Sequence, residues 1–331
     1  MRNYILRRML INIPVIWLVA TLVFLATSVL PGDFVAQRIA AQDPTSTDPA
    51  LRQQQIEAVR KDLGLDKPVP QRYATYLGNL LKGDFGISYQ TREPALQGMK
   101  EGLPYSLQLA VMSLIIGLCA SLPIGVISAI RQDSSVDYIL RIFAILMLAM
   151  PSFWVGTMLL LYVVKGVSVF GLFTIGWTID VTDQKLLWED PGASIRGFIL
   201  PAVAGGLASA AGVMRLLRSQ MLEVLRQDYI RTAWAKGMRE RVVIMRHAMK
   251  NAMVPVVTVL GLTLSGLLSG NVVFEPLFGI PGVGRRILNA IVARDVPVVQ
   301  SFVLVIATFI VFVNLGIDLL YGVLDPRIRY S

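Results

Sequence analysis

The sequence is short of the groups that most enzymes use. In 331 residues it holds a single histidine, His247, and a single cysteine, Cys119. One of each excludes an intrachain disulfide and leaves no basis for a histidine-built metal site. Cys119 sits in an apolar run and is expected to be a small buried hydrophobe. Charged residues make up 16% of the chain and hydrophobic ones 54%, whereas a soluble domain carries roughly a quarter charged residues. No G-x-x-x-x-G-K-S/T loop occurs, so ATP phosphates find neither a backbone cradle nor a lysine. The glycines of Gly279-Ile280-Pro281-Gly282-Val283-Gly284 have a different spacing. H-E-x-x-H and G-x-S-x-G are also missing. The chain is therefore not expected to be an enzyme, and neither a cofactor nor a metal is expected to bind it.

Charge is absent altogether from six long stretches: Leu10–Leu30, Ser106–Ile130, Ile142–Val164, Gly197–Met214, Ala252–Phe274 and Val296–Ile317. About 20 apolar residues cross the hydrocarbon core as a helix. The fourth run is the shortest, but it continues into Arg215 and Arg218, whose side chains can snorkel. The expected fold is an all-α integral membrane protein with six transmembrane helices. The first run follows Arg2, Arg7 and Arg8 and is longer than a signal-peptide core, so an uncleaved anchor is expected. A carrier driven by protons or sodium keeps titratable groups near the bilayer midplane. The six runs have none, and Glu275 and Asp318 lie just past span ends.

The basic residues that are present fall unevenly. The balance is 31 basic to 22 acidic residues, a net charge of +9. In a soluble protein that excess would point to nucleic acid, but here the positive-inside rule accounts for it. Residues 31–104 hold nine of each sign, residues 165–196 three basic and four acidic, and residues 215–250 nine basic and three acidic. Both termini and the loop after the fourth span are therefore assigned to the cytoplasm, and the 31–104 and 275–295 loops to the outside. Proline and glycine (Pro123, Pro151, Pro201, Gly205, Gly206, Pro255) punctuate the spans, either for close packing or for kinks around a cavity.

The fourth loop reads Tyr229-Ile230-Arg231-Thr232-Ala233-Trp234-Ala235-Lys236-Gly237. Glycine at 237 permits a left-handed turn between two helices. Ala233, Ala235 and Gly237 let another protein approach, while Arg231, Lys236, Arg239 and Arg241 offer it charge. On charge alone, a basic helix resting on anionic lipid explains the loop as well. The run resembles the EAA loop of ABC-importer permeases in the form used by the dipeptide/oligopeptide/nickel branch, B-type subunit. Arg-Thr-Ala stands where other branches have Glu-Ala-Ala. The interval from Gly237 to Pro255 is longer than in sugar permeases and agrees with the peptide branch. Leu63–Pro68, Gly83–Ser88, Phe278–Gly284 and Asp325–Tyr330 extend the resemblance along nearly the whole chain.

This resemblance implies a type I importer in the cell inner membrane. A second, homologous permease completes the pathway, two ATPase subunits dock beneath with ATP and magnesium, and an extracytoplasmic binding protein delivers the cargo. Tyr229, Arg231, Thr232, Ala233, Ala235, Lys236 and Gly237 would contact an ATPase. Gly279, Pro281, Gly282, Gly284 and Arg285 would form an outer gate or loop, with 281–295 dipping back as a short helix. The cargo implied is a di- or oligopeptide, with nickel complexes, glutathione, opines and oligosaccharides moving through the same branch. The chain divides into a first span (1–30), an external loop or cap (31–104), a five-helix core (105–324) carrying the 215–250 coupling loop, and a cytoplasmic tail (325–331). A carrier working alone and a non-transporting scaffold are the rival readings.

Overall fold

The computed structural model describes residues 2–29, 49–62, 66–165 and 184–324. The Asp318 side chain, residues 63–65 and the tail from Asp325 lie outside the described residues. Among the described residues the regular structure is helical, apart from one isolated bridge, Ile87 to Pro94. In chain order the helices are α1 Arg2–Val29, α2 Pro49–Asp62, α3 Val69–Leu81, α4 Ala95–Ile130, α5 Ser135–Ala149, α6 Ser152–Lys165 and α7 Pro191–Leu225. They continue with α8 Asp228–Ala235, α9 Glu240–Val242, a π-helical turn Val243–Ala248, α10 Met249–Phe278, α11 Val283–Val292 and α12 Val296–Leu324. Residues 31–104 carry α2 and α3, and the expected short helix after Pro281 becomes α11.

Among the described residues five continuous helical segments are long and apolar enough to cross a membrane: Arg7–Ser28, Ala95–Ile130, Pro191–Leu225, Glu240–Ser269 and Val296–Gly316. The third expected span is not one straight helix. It is the pair α5 and α6, bent by 96°. Pro151 is the cause. A residue before proline is driven out of the helical region, and Met150 is extended at φ −83°, ψ 129°.

The chain forms two compact units, Met1–Lys100 with Arg286–Val311 and Glu101–Arg285 with Phe312–Ser331. In the first, Phe24 of α1 stacks on Tyr76 and tilts against Tyr73 of α3, with ring centroids 5.4 and 5.2 Å away. Buried Asp295 accepts from the Ser88 hydroxyl and, at 3.0 Å, from the Tyr89 N–H.

In the second unit α7 is the central helix, with α5, α6 and α10 packed on it. Its start is set by Pro191 in the first turn and by Asp190, which accepts from the Ala193 N–H at 3.0 Å. Small residues let α4 and α7 touch backbone to backbone. A Cβ on Gly206 would lie 2.6 Å from the Ser113 carbonyl oxygen, and one on Gly117 would lie 2.9 Å from that of Gly206. Close packing thus accounts for these glycines. Cys119, by contrast, is exposed, on the same face of α4 as Val111 and Ile115, four and eight residues earlier. Its apolar setting reflects an outward helix face and not a core. The opposite correction applies to Arg218, which does not snorkel. Its Nε and Nη2 donate to the two carboxylate oxygens of Asp137 on α5 at 2.9 and 2.7 Å.

The Asp137 side chain is fully enclosed. It also accepts from the Ser128 hydroxyl and from the Asp133 N–H at 3.0 Å, with Arg141 a second cation at 3.4 Å. Removing one member of a buried pair strands the other. Arg218→Met is expected to lower stability by about 3 kcal/mol, a low value for a stranded charge because Arg141 remains nearby. Asp137→Asn combined with Arg218→Met should recover most of that. Thermal melting of the two variants in detergent checks it, and equal melting of wild type and Arg218→Met would dismiss the pair as a structural element.

Candidate functional site

Two turns in the second unit carry the residues singled out in the sequence. The first is the elbow between α7 and α10. Its entry helix α8 has eight residues, and the helical period of 3.6 sorts them. Ile230 and Ala233 face inward and are buried with Val213, Leu217 and Met221 of α7 and with Val243, Ile244 and Ala248 of the π-helical turn. Asp228, Arg231, Thr232 and Ala235 lie on the opposite, exposed face. Arg231 reaches Asp228 at 3.4 Å with both side chains largely in solvent, which contributes little to stability. Thr232 donates back to the Asp228 carbonyl at 3.0 Å. The Tyr229 hydroxyl accepts from Asn251 at 2.9 Å and ties the two arms of the elbow together.

Gly237 makes the corner. Its φ is +70°. The Gly237 N–H bonds to the Trp234 carbonyl at 2.9 Å and the Met238 N–H to that of Ala233 at 3.3 Å. This is a Schellman ending, in which the left-handed residue lets the chain double back onto the last open carbonyls. Nothing lies within 4 Å of a Cβ built on Gly237, so in this chain the glycine answers to backbone angle alone. Lys236 and Ala235 are exposed beside it. Arg231, Thr232, Ala235, Lys236 and Gly237 therefore form one open surface, while Ala233 belongs to its support. Trp234, about half exposed, was not chosen from the sequence. It lines a cavity of about 280 Å³ with Leu222, Leu225, Arg226 and Glu240.

The second turn follows α10. Gly279, at φ +74°, closes another Schellman ending, with the Ile280 N–H on the Glu275 carbonyl at 2.8 Å and Ile280 fully buried. The chain then lies back along α10. A Cβ on Gly282 would stand 2.3 Å from the Glu275 carboxyl carbon, and one on Gly284 2.6 Å from the Val272 backbone. Glycine is needed here for closeness, not for angle. Arg285 is exposed and closes the turn by donating to the Gly279 carbonyl at 2.6 Å, and Pro281 is half-buried between them.

Glu275, passed over as interfacial in the sequence, is the centre of this turn. It directly follows the charge-free run Ala252–Phe274 and is fully buried. Its carboxylate accepts from the Ser106 hydroxyl and from the Arg285 N–H at 3.0 Å, while Val283 N–H donates to the Ser106 oxygen at 2.8 Å. The first N–H groups of α11 are thus satisfied by a side chain from α10 and one from α4. Burial pushes the Glu275 carboxyl up to about 7, against the opposing pull of Ser106 and of the Arg285 and Gly284 N–H groups. Among the described residues no group of three or more His, Cys, Asp or Glu side chains is placed to hold a metal ion.

With this geometry in view, the chain can be compared with known proteins. Residues 121–330 match the model of the binding-protein-dependent transport system inner membrane component, and residues 1–110 match the N-terminal model of the same membrane component. The chain belongs to this family. It is a multi-pass inner-membrane permease subunit of an ABC importer, as the run Tyr229–Gly237 led one to expect, and not a catalytic subunit. The dipeptide transport system permease protein DppB of Escherichia coli K12 is 38% identical over the full length of both chains. The glutathione transport system permease protein GsiC of Pectobacterium atrosepticum is 36% identical, also over both full lengths. Among solved structures, the MetNI methionine ABC transporter in inward-facing form matches with a TM-score of 0.54 at 14% identity, covering 70% of this chain and 99% of that one. At that identity the likeness supports the permease fold alone.

The glycines of the two turns should respond differently to alanine. Gly284→Ala meets immovable backbone and is expected to lose about 3 kcal/mol, whereas Gly237→Ala should lose about 1–2 kcal/mol from left-handed strain alone. Melting curves in one detergent rank them, and a Gly284→Ala protein as stable as wild type refutes the close approach. Glu275 adds a pH dependence. Its folded value of about 7 exceeds the ordinary 4.5, so its stabilising contribution is whole below the ordinary value, falls as pH rises, and is gone above the folded one. Melting temperature relative to Glu275→Gln should drop between about pH 5 and pH 8, and a constant difference would contradict it.

Proposed function

We propose that this chain forms one half of the translocation path of a binding-protein-dependent importer of short peptides. In this reading the α5–α6 pair counts as one span, giving six, and both termini and the elbow face the cytoplasm, which the basic excess of residues 215–250 supports. The single observation that carries the coupling role is the elbow's asymmetry. One face is locked into the core through Ile230 and Ala233, and the other presents Arg231, Thr232, Ala235, Lys236 and Gly237 bare. A groove on a separate ATPase subunit seats that bare face. ATP and its magnesium stay with the ATPase, and this chain binds neither. Closure of the ATPases would pull on α8, and the packed core would carry the displacement into α7 and α10 as a rigid body. A second permease related to this one supplies the other half of the path, and an extracytoplasmic binding protein delivers the cargo. The Glu275–Arg285 turn, with Gly279, Pro281, Gly282 and Gly284, braces the outer end of that path, and α2 and α3 belong to an external cap.

Peptide cargo rests on the dipeptide permease relatives. Glutathione, itself a tripeptide, is the second reading because a glutathione permease matches as well over its full length. Nickel complexes, opines and oligosaccharides stand behind both. Proteoliposomes holding the two permeases, the ATPases and the binding protein, offered dipeptide, oligopeptide or glutathione, test the assignment through ATP turnover. Transport by this chain alone under a proton or sodium gradient would overturn it.

Substitutions at the bare face test the coupling. Gly237→Trp or Ala235→Trp should abolish ATPase co-purification and uptake while the chain still reaches the membrane. Gly237→Asn is the control, since asparagine tolerates the left-handed conformation, and should retain most of both. Lys236→Glu and Arg231→Glu should weaken assembly by about tenfold or less, and more at low salt. Full uptake by Gly237→Trp would end the proposal.

A further inference from the structure

Apart from both turns, the second unit carries an open cavity of about 720 Å³ between α5 and α7, lined by Arg141, Ile145 and Leu148 on one side and by Gly212, Arg215, Leu216, Arg218 and Ser219 on the other. Its charge and its apolar surface are separated along the helices. Arg141 and Leu148 are seven residues apart, about 10 Å of helical rise, and Ile145 and Leu148 are exposed. At the charged end, Arg218 is committed to Asp137. Arg141 is held only loosely. It stacks over the Tyr138 ring at 4.5 Å and reaches Asp137 at 3.4 Å and Asp133 at 3.9 Å. Its Nε and Nη2 atoms are buried, yet they have no hydrogen-bond acceptor among the described residues. Arg215 is exposed and has no ion pair or hydrogen bond among them. Arg218 and Arg141 thus answer Asp137, with Asp133 beside Arg141, while Arg141 and Arg215 keep donors that no acceptor among the described residues takes up. On the apolar side Gly212 leaves a gap, since a Cβ there meets nothing within 4 Å.

We propose that this cavity is a binding site for an anionic phospholipid. Its phosphate is held by Arg141 and Arg215, with the Ser219 hydroxyl in reach, and one acyl chain runs along Ile145, Leu148 and the gap at Gly212. A basic pocket between membrane helices with an apolar continuation matches the chemistry of an anionic headgroup. A zwitterionic lipid adds a cation that the arginines repel. A free phosphate or a peptide carboxylate would use the arginines but leave the Ile145–Leu148–Gly212 surface unfilled. Assignment to the cytoplasmic leaflet rests on the orientation proposed above, whereas the site itself does not.

The test uses the assembled transporter, purified with its partner subunits and placed in nanodiscs of phosphatidylcholine mixed with phosphatidylglycerol. Native mass spectrometry then counts the lipids retained. Wild type should keep phosphatidylglycerol in preference to phosphatidylcholine. Arg141→Gln with Arg215→Gln should reduce that preference on the order of ten- to thirty-fold. Gly212→Leu puts an apolar side chain into the gap without changing charge, at a position where a Cβ meets nothing within 4 Å, and should expel the lipid while the fold persists. It decides alone if the double variant fails to assemble. Undiminished phosphatidylglycerol in both variants overturns the site. So does an unchanged lipid count with loss of the second permease, which would place a carboxylate of the partner in the cavity. An unchanged lipid count with a raised KM for peptide uptake would assign the arginines to cargo and overturn it too. Failure of peptide uptake in wild type would strike the proposed function and leave the lipid count standing.

Discussion

The Asp137 side chain exposes no surface to water, and much of the second unit is arranged around that fact. A carboxylate enclosed in a helical bundle must have its charge answered on the spot. Here Arg218 meets it with both ends of its fork, Ser128 and the Asp133 N–H take up the remaining positions, and Arg141 stands behind. These contacts fix the end of α4, the start of α5 and the lower third of α7 against one another. Within one turn of Arg218 on α7, Leu217 and Met221 are fully buried against Ile230, Val243 and Ala248 of the elbow. The elbow's inner face is therefore the same close-packed interior that holds the spanning helices. A displacement applied to its outer face reaches α7 and α10 through packed side chains and not through a slack loop.

Because this chain lives in two solvents, its sequence is legible in parts. Apolar length marked five long apolar helices and the bent α5–α6 pair, since lipid demands such length of any helix that crosses. The corner at Gly237 was also visible, because a positive φ in a basic, alanine-rich stretch leaves few residues to choose from. What apolar length cannot supply is direction. The six runs are hydrophobic all round, so nothing in them told inward from outward. Cys119 proved exposed for that reason, and Arg218, just past the fourth run, proved part-buried and paired with Asp137. Ala233 was grouped with Ala235 as an approach surface, yet two positions along an eight-residue helix put them on opposite faces. The 96° bend at Pro151 had its signal in the sequence, but proline is common in membrane helices and its angle depends on the neighbours that take up the freed backbone groups. The role of Glu275 had no local signal at all. Its partners Ser106 and Arg285 lie on α4 and in the first turn of α11, 169 and 10 residues away, and only the fold brings them together.

The two turns that flank α10 share a left-handed glycine corner, Gly237 in one and Gly279 in the other, and differ in what lies around it. At Gly282 and Gly284, just past the second corner, the chain is pressed onto its own helix, and the space of the missing side chains is taken by Glu275 and the Val272 backbone. That end is filled, satisfied and braced from α4 through Ser106. At Gly237 the left-handed corner is just as sharp, yet the space beside it is empty. A chain that wanted only the turn could have tucked a side chain or a neighbouring loop against it. Leaving a closed hydrogen-bonded corner bare, flanked by Ala235 and Lys236 and supported from within by Ala233, makes physical sense when the missing contacts come from another protein. One side of α10 is thus filled from within this chain, and the other carries the bare corner on which the proposed coupling rests.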